Sequence, residues 1–203
     1  MILEACVETI EGAKMAEHHG AHRLELCSDL HLDGLSPSIE LITEVLKVTT
    51  IPVKVMVRLK AGSFIYSDED LKEMIDYCES CIEYPIQGFV TGLNTPDKKI
   101  DVKRLKMLTA KFPNHSFTFH KAIDLVPNPI EEMIRCIDIP NLTHILTSGK
   151  EPTAVKGIST LKKMVNQLQP RFKIIAAGKI TQENIDYIKK ESGASEFHGK
   201  QIV

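Results

Sequence analysis

The stretch ILEACVETIEGAKMAEHHGAHRLELC, residues 2–27, decides the fold. Its two ends, Ile2–Cys6 and His22–Cys27, are short runs of apolar and β-branched character that read as strands. Between them, Glu11–His19 carries an amphipathic helical pattern, with Thr9 placed ahead of it as a start residue. Strand, helix and strand in this order predict parallel strands joined by a helical crossover.

The same alternation continues to the last residues. Further strands are predicted at Val53–Arg58, Gly88–Thr91, Ser116–His120, His144–Thr147, Lys173–Ala177 and Glu196–His198. Helical patterns fall at Ser38–Lys47, Asp68–Glu83, Val102–Lys111, Pro129–Ile137, Thr153–Gln169 and Thr181–Lys190. Ser67-Asp68-Glu69-Asp70 resembles a capping box with Asp in the Glu position, Pro129 suits a first turn, and Thr181 reads as an N-cap. Eight βα units favour a closed (β/α)8 TIM barrel over an open doubly wound sheet, as one domain over residues 1–203. The eighth helix is lacking or truncated, since only Gly199–Val203 follow the last strand. That would leave part of the barrel wall uncovered, and a homodimer is the expected remedy.

Composition agrees with a globular chain: 43% of the 203 residues are apolar and 26% charged. No apolar run approaches the roughly 20 residues that cross a bilayer. A formal net charge of -2 shows no basic surplus for nucleic acid. The N-terminus has no basic stretch followed by a long apolar region, and five cysteines, an odd number, fit reduced thiols. Both features predict a cytoplasmic protein.

In a barrel, chemistry collects at the C-terminal ends of the strands. Here those ends read Glu4-Ala5-Cys6, Glu25-Leu26-Cys27, Met56-Val57-Arg58 and Thr118-Phe119-His120. With a period of two, Glu4, Cys6, Glu25, Cys27, Met56, Arg58 and His120 face the barrel mouth, while Ala5, Leu26, Val57 and Phe119 face the helices. Glu4, Glu25, Arg58 and His120 thus form a candidate catalytic cluster, because burial tunes carboxylate and imidazole pKa values for proton transfer. The competing reading is an ion-pair network lining the barrel.

Cys6, Cys27 and Met56 give the same mouth soft sulfur donors, which select Cu(I); against this, Cys and Met are common core residues. The turns Thr147-Ser148-Gly149 and Ala177-Gly178 lie between strands and helices, where backbone N–H groups hold anions. Ser148, Gly149 and Gly178 are therefore candidate binding positions for a small anionic ligand, or ordinary βα turns. Cys78 and Cys81 are spaced as a helix face, Cys136 as core, and His18-His19-x-x-His22 as solvated surface.

Seven blocks in order make the chain resemble the CutC family, described as copper homeostasis proteins. They are Leu3-Glu4-Ala5-Cys6, Gly20-Ala21-His22-Arg23-Leu24-Glu25-Leu26-Cys27, Gly34-Leu35-Ser36-Pro37-Ser38, Val55-Met56-Val57-Arg58, Gly62-Ser63-Phe64-Ile65-Tyr66-Ser67, Thr118-Phe119-His120-Lys121-Ala122-Ile123-Asp124 and Leu146-Thr147-Ser148-Gly149. The resemblance implies a TIM barrel, a cytoplasmic location and a role in copper handling. Cys6 and Cys27 match the positions proposed in that family as Cu(I) ligands. Two departures are visible: Arg58-Leu59-Lys60 lacks the family's Pro, and the Gly-rich run after strand seven is reduced to Ala177-Gly178-Lys179. Two functions follow. The first is a copper-binding homeostasis protein. The alternative is an enzyme, an isomerase, lyase or hydrolase, acting on a small phosphorylated or carboxylated substrate through the Glu/Arg/His set.

Overall fold

A computed structural model describes all of residues 1–203. Its eight strands are β1 (Ile2–Val7), β2 (Arg23–Leu26), β3 (Val53–Met56), β4 (Gly88–Thr91), β5 (Ser116–Phe119), β6 (Leu142–Thr147), β7 (Lys173–Ala176) and β8 (Glu196–Gly199). They pair in sequence order, all parallel, and β8 returns to β1 with Ile2 opposite Glu196, which closes the barrel. Seven α-helices alternate with them: α1 (Ile10–His18), α2 (Ile39–Val48), α3 (Asp68–Cys81), α4 (Val102–Ala110), α5 (Pro129–Ile134), α6 (Ile158–Leu168) and α7 (Ile185–Ser192). Short 3-10 helices at Leu30–Leu32 and Lys121–Leu125 lie in the loops after β2 and β5. No helix is long and apolar enough to cross a membrane.

Local chemistry explains the helix starts. Thr9 accepts from the Gly12 N–H, and Ser67 and Asp70 exchange side-chain and backbone hydrogen bonds in a complete capping box. Two helices begin later than the sequence predicts. At α6, a Cβ on Gly157 would overlap the Ser148 carbonyl and one on Gly149 would overlap Gly157. This close backbone approach holds residues 150–157 in turns and delays the helix to Ile158. At α7, Asn184 ties down residues 179–184: its Oδ1 accepts from Thr181 N and its Nδ2 donates to Lys179 O.

The apolar core is a shell between sheet and helices. Leu24, Leu26, Val53, Val55, Phe89, Phe117, Phe119, Ile145, Ile174 and Phe197 all join one 48-residue cluster with the inner helix faces. The barrel interior is different. Glu4, Arg23, Glu25, Lys54 and Thr118 are all buried there. Beside them are only two small apolar groups, Cys6, Cys27, Met56 and Val90 on one side, and Leu146, Ile175 and Ala177 on the other. The wall beside β8 is not bare: Phe197 is fully buried, and Ile202 beyond the strand is 1% exposed and joins the same cluster.

Phe117 sits at the centre of the shell, with its ring centroid 5.3 Å from that of Phe89, itself 5.6 Å from Phe112. Truncation there leaves a cavity that rigid strands cannot close. Phe117→Ala should lower the unfolding free energy by about 3–5 kcal/mol in urea titrations. A loss below about 1 kcal/mol would show that the shell is not the main source of stability.

Candidate functional site

The inward face of β1 carries Glu4 and, one step nearer the mouth, Cys6. On β2 the same face carries Arg23 and Glu25, and Cys27 follows the strand. Glu4 is completely buried and its two oxygens are divided among three cations. Arg23 Nε donates to Oε2 at 2.5 Å, with Lys54 Nζ at 3.9 Å from the same oxygen. His198 Nδ1 is 2.9 Å from Oε1. Arg23 extends the network through Nη2 to Glu196, at 2.7 Å, which also lies 3.6 Å from His144. Lys54 Nζ donates to Thr118 Oγ1 at 2.8 Å.

These contacts set protonation. Burial alone would raise the Glu4 carboxyl, but His198, Lys54 and Arg23 hold it well below the usual carboxylate range. Burial pulls Lys54 down to about 8 against the attraction of Glu4. Burial opposes a charge on His198 too, yet Glu25, Cys6 and Glu4 keep it protonated well above the ordinary imidazole range.

One layer up is the sulfur pair. Cys6 Sγ and Cys27 Sγ are 3.9 Å apart, and Cys27 Sγ lies 3.6 Å from Glu25 Oε2, which is 3.6 Å from His198 Nε2. Cys6, Glu25 and Cys27 bring their ligand atoms within 4.8 Å of one another, as do Glu4, Glu25 and His198. Burial drives Glu25 well above the carboxylate range, and Glu25 Oε1 has no partner. The hydrogen bond from Cys27 favours the Cys6 thiolate, and the same bond with burial raises Cys27.

Arg58 and His120 reach the same mouth with hydrogen bonds of their own. Arg58 donates from Nη1 to the carbonyls of Leu32 (2.9 Å) and Gly34 (3.0 Å), and from Nη2 to Gly62 (3.3 Å). The His120 side chain caps the 3-10 helix after β5, with Nδ1 accepting from Ala122 N at 3.1 Å. A Cβ at Gly92 would overlap this ring, so glycine there leaves His120 its place. A cavity of about 1010 Å³ at the mouth is lined by Cys6, Glu25, Met56, Arg58, His120 and His198, among others.

The four residues read from the sequence as one acid-base cluster are thus divided. Glu25, Arg58 and His120 share the cavity, whereas Glu4 lies beneath it inside the ion-pair network. The anion turn is also rearranged. Asp124 already fills it, accepting from Thr147 Oγ1 (2.5 Å), Ser148 N (3.0 Å), Ser148 Oγ (2.9 Å) and Lys150 N (2.9 Å). The Gly149 N–H is taken by Thr147 Oγ1. Gly178, at φ +106°, serves close packing, since a Cβ there would meet Ser148 Cβ at 2.9 Å. The sequence reading missed Arg23, Lys54, His198, Glu196 and His144. Arg23 shares the parity of Glu25, and Lys54 that of Met56, so the period of two carried one step back would have found both.

An eight-stranded TIM barrel with a charged interior and a sulfur pair at its mouth is the class of protein this geometry defines. A CutC family model matches residues 1–203, and the chain belongs to the CutC family. It is 37% identical over 196 residues to a CutC family protein of Treponema denticola, covering 97% of this chain and 79% of that one. It is 34% identical over 197 residues to the human copper homeostasis protein cutC homolog, covering 97% of this chain and 72% of that one. The crystal structure of a CutC from Streptococcus agalactiae superposes with a TM-score of 0.91 at 28% identity, covering all of both chains.

Removing Arg23 takes the closest cation from two buried carboxylates, Glu4 and Glu196, so Arg23→Met should cost about 3–5 kcal/mol at neutral pH. The acid limb has a defined sign. Burial raises Glu196, but His144 and Arg23 outweigh it and hold the folded-state pKa at about 2, below the ordinary 4.5. Its stabilisation is full above the unfolded value and is lost as pH falls from 4.5 towards 2. Urea melts across this window should show a shallower decline in Glu196→Gln than in the parent; equal slopes would contradict the assignment.

Proposed function

We propose that this protein binds Cu(I) at the barrel mouth through Cys6 and Cys27, with Met56 as a third sulfur donor, and handles copper in the cytoplasm. The 3.9 Å separation of the two sulfurs carries the reading. Two thiolates on opposite sides of one ion would stand about 4.6 Å apart for bonds near 2.3 Å. The observed spacing is shorter, which suits a bent pair with room for a third ligand. Met56 belongs to the same small buried cluster as the two cysteines. All three are soft donors, the type that selects Cu(I). The hydrogen bond from Cys27 and, after it, His198 favour a thiolate at Cys6, the protonation state a metal needs. Five free, buried cysteines fit a reducing compartment. The name of the human relative supports the same direction.

The test is a competition titration against a Cu(I) chelator under reducing conditions. Cys6→Ser and Cys27→Ser should each weaken binding by about two orders of magnitude, because a hydroxyl is a poor, hard substitute for thiolate. Glu25→Gln should change it by less than about threefold, since that carboxyl borders the sulfurs without replacing them. The opposite pattern would overturn the reading. Cysteine variants that bind as the parent does, with Glu25→Gln and His120→Ala losing turnover of a small phosphorylated or carboxylated compound, would establish the enzyme instead.

A further inference from the structure

Arg58 is 4% exposed, and no carboxylate lies within salt-bridge distance of it. Its Nη1 and Nη2 are committed to three backbone carbonyls, which supply dipoles but no countercharge. Its Nε is buried without a hydrogen-bond partner. His120, 5% exposed, repeats the pattern. Its Nδ1 accepts from Ala122 N, so the proton of the neutral ring sits on Nε2, and Nε2 is buried without a partner too. Burial, reinforced by the neighbouring Arg58 charge, holds the ring neutral with a pKa of about 3.

The two side chains that carry these donors pack against a single ring. Phe64 lies 4.9 Å from Arg58 Cζ and 4.8 Å, edge to face, from the His120 ring, and all three residues line the mouth cavity. Phe64 is half-buried on a loop whose neighbours Ser63 and Ile65 are exposed. Farther out, Lys121, Lys150, Lys179 and Lys200 also line the cavity, and none of them pairs with a carboxylate. Glu25, Asp33, Asp124 and Glu151 line the cavity as well; Asp124 is already satisfied by Thr147, Ser148 and Lys150, and none of the four pairs with Arg58.

A buried cation without a counter-ion and a buried donor without an acceptor are each unfavourable alone. One negatively charged ligand with two oxygens answers both. We propose that Arg58 and His120 form a binding site for a small oxyanion, carboxylate or phosphate, separate from the Cys6–Cys27 pair and reached by displacement of the Phe64 ring. The guanidinium Nε–H and the imidazole Nε2–H each donate to one oxygen. The site does not depend on copper.

The experiment uses the full-length, copper-free protein in calorimetric titrations with malonate and with inorganic phosphate at low ionic strength. At least one anion should bind saturably at a single site; malonate alone marks a carboxylate site and phosphate alone a phosphate site. Arg58→Lys keeps the charge but loses the Nε–H, and His120→Phe keeps the ring but loses the donor. Each should weaken binding by about tenfold or more, whereas Lys121→Ala and Lys179→Ala should change it by less than about threefold. Saturation by neither anion would overturn the proposal. So would loss of binding only in the lysine variants. If Arg58→Lys and His120→Phe do not fold, the parent protein decides: the ¹⁵Nε2 and Hε2 resonances of His120 should shift at saturating anion, and unchanged resonances would reject the site. Cu(I) affinity of the cysteine pair is measured separately, so either result stands without the other.

Discussion

Glu4 is the residue on which the barrel interior depends. A carboxylate with no exposed surface is tolerated only when it is paired and hydrogen-bonded. Here the pairing reaches Arg23 on β2, Lys54 on β3 and His198 on β8, so one side chain links four strands. These partners are separated by up to 194 positions in sequence, and they meet only because the barrel closes. Removing the acid would leave three cations facing one another in the buried interior. A barrel packed with Val, Ile and Leu would be easier to stabilise, because buried ion pairs seldom outperform apolar packing. The apolar burial that supports this costly interior lies in the shell outside the sheet.

The charge on Glu4 also organises the layer above. With Glu25 and Cys6 it raises His198 above the ordinary imidazole range, and His198 adds to the Cys27 hydrogen bond in favouring the thiolate form of Cys6. The sulfur pair therefore borders titratable groups on one side and the apolar Met56 and Val90 on the other. Cys27 and Glu25, both pushed towards their neutral forms, complete a small set of groups whose protons are shared among neighbours. Such coupling suits a soft metal ion, whose binding must displace thiol protons. Arg58 and His120 line the same mouth but make no hydrogen bond to that set. Their hydrogen bonds fix loops instead, and their free donors look for an acceptor the protein does not supply.

The fold was legible because each βα unit carries its own local signal: the capping residues Thr9 and Ser67, Pro129 at a first turn, and β-branched runs such as Lys173–Ala177. Strand parity was legible as well, since Ala5, Leu26 and Phe119 do face the helices. What local reading cannot supply is depth along the barrel axis. Glu4 and Glu25 share a parity, yet one is sealed by Arg23 and Lys54 and the other borders the cavity. Asp124 was likewise invisible as the filler of the turn after β6, because it reaches that turn from another loop 23 positions away. The late start of α6 turned on a backbone contact between Ser148 and Gly157, which no helical periodicity records.

Cu(I) held by sulfur at the barrel mouth is what we propose for this protein. X-ray absorption at the copper edge, on protein loaded with one equivalent of Cu(I), tests it most directly. Two or three sulfur neighbours at about 2.2–2.3 Å are expected. A first shell of nitrogen or oxygen, or an unchanged spectrum when Cys6 and Cys27 are both serine, would contradict it.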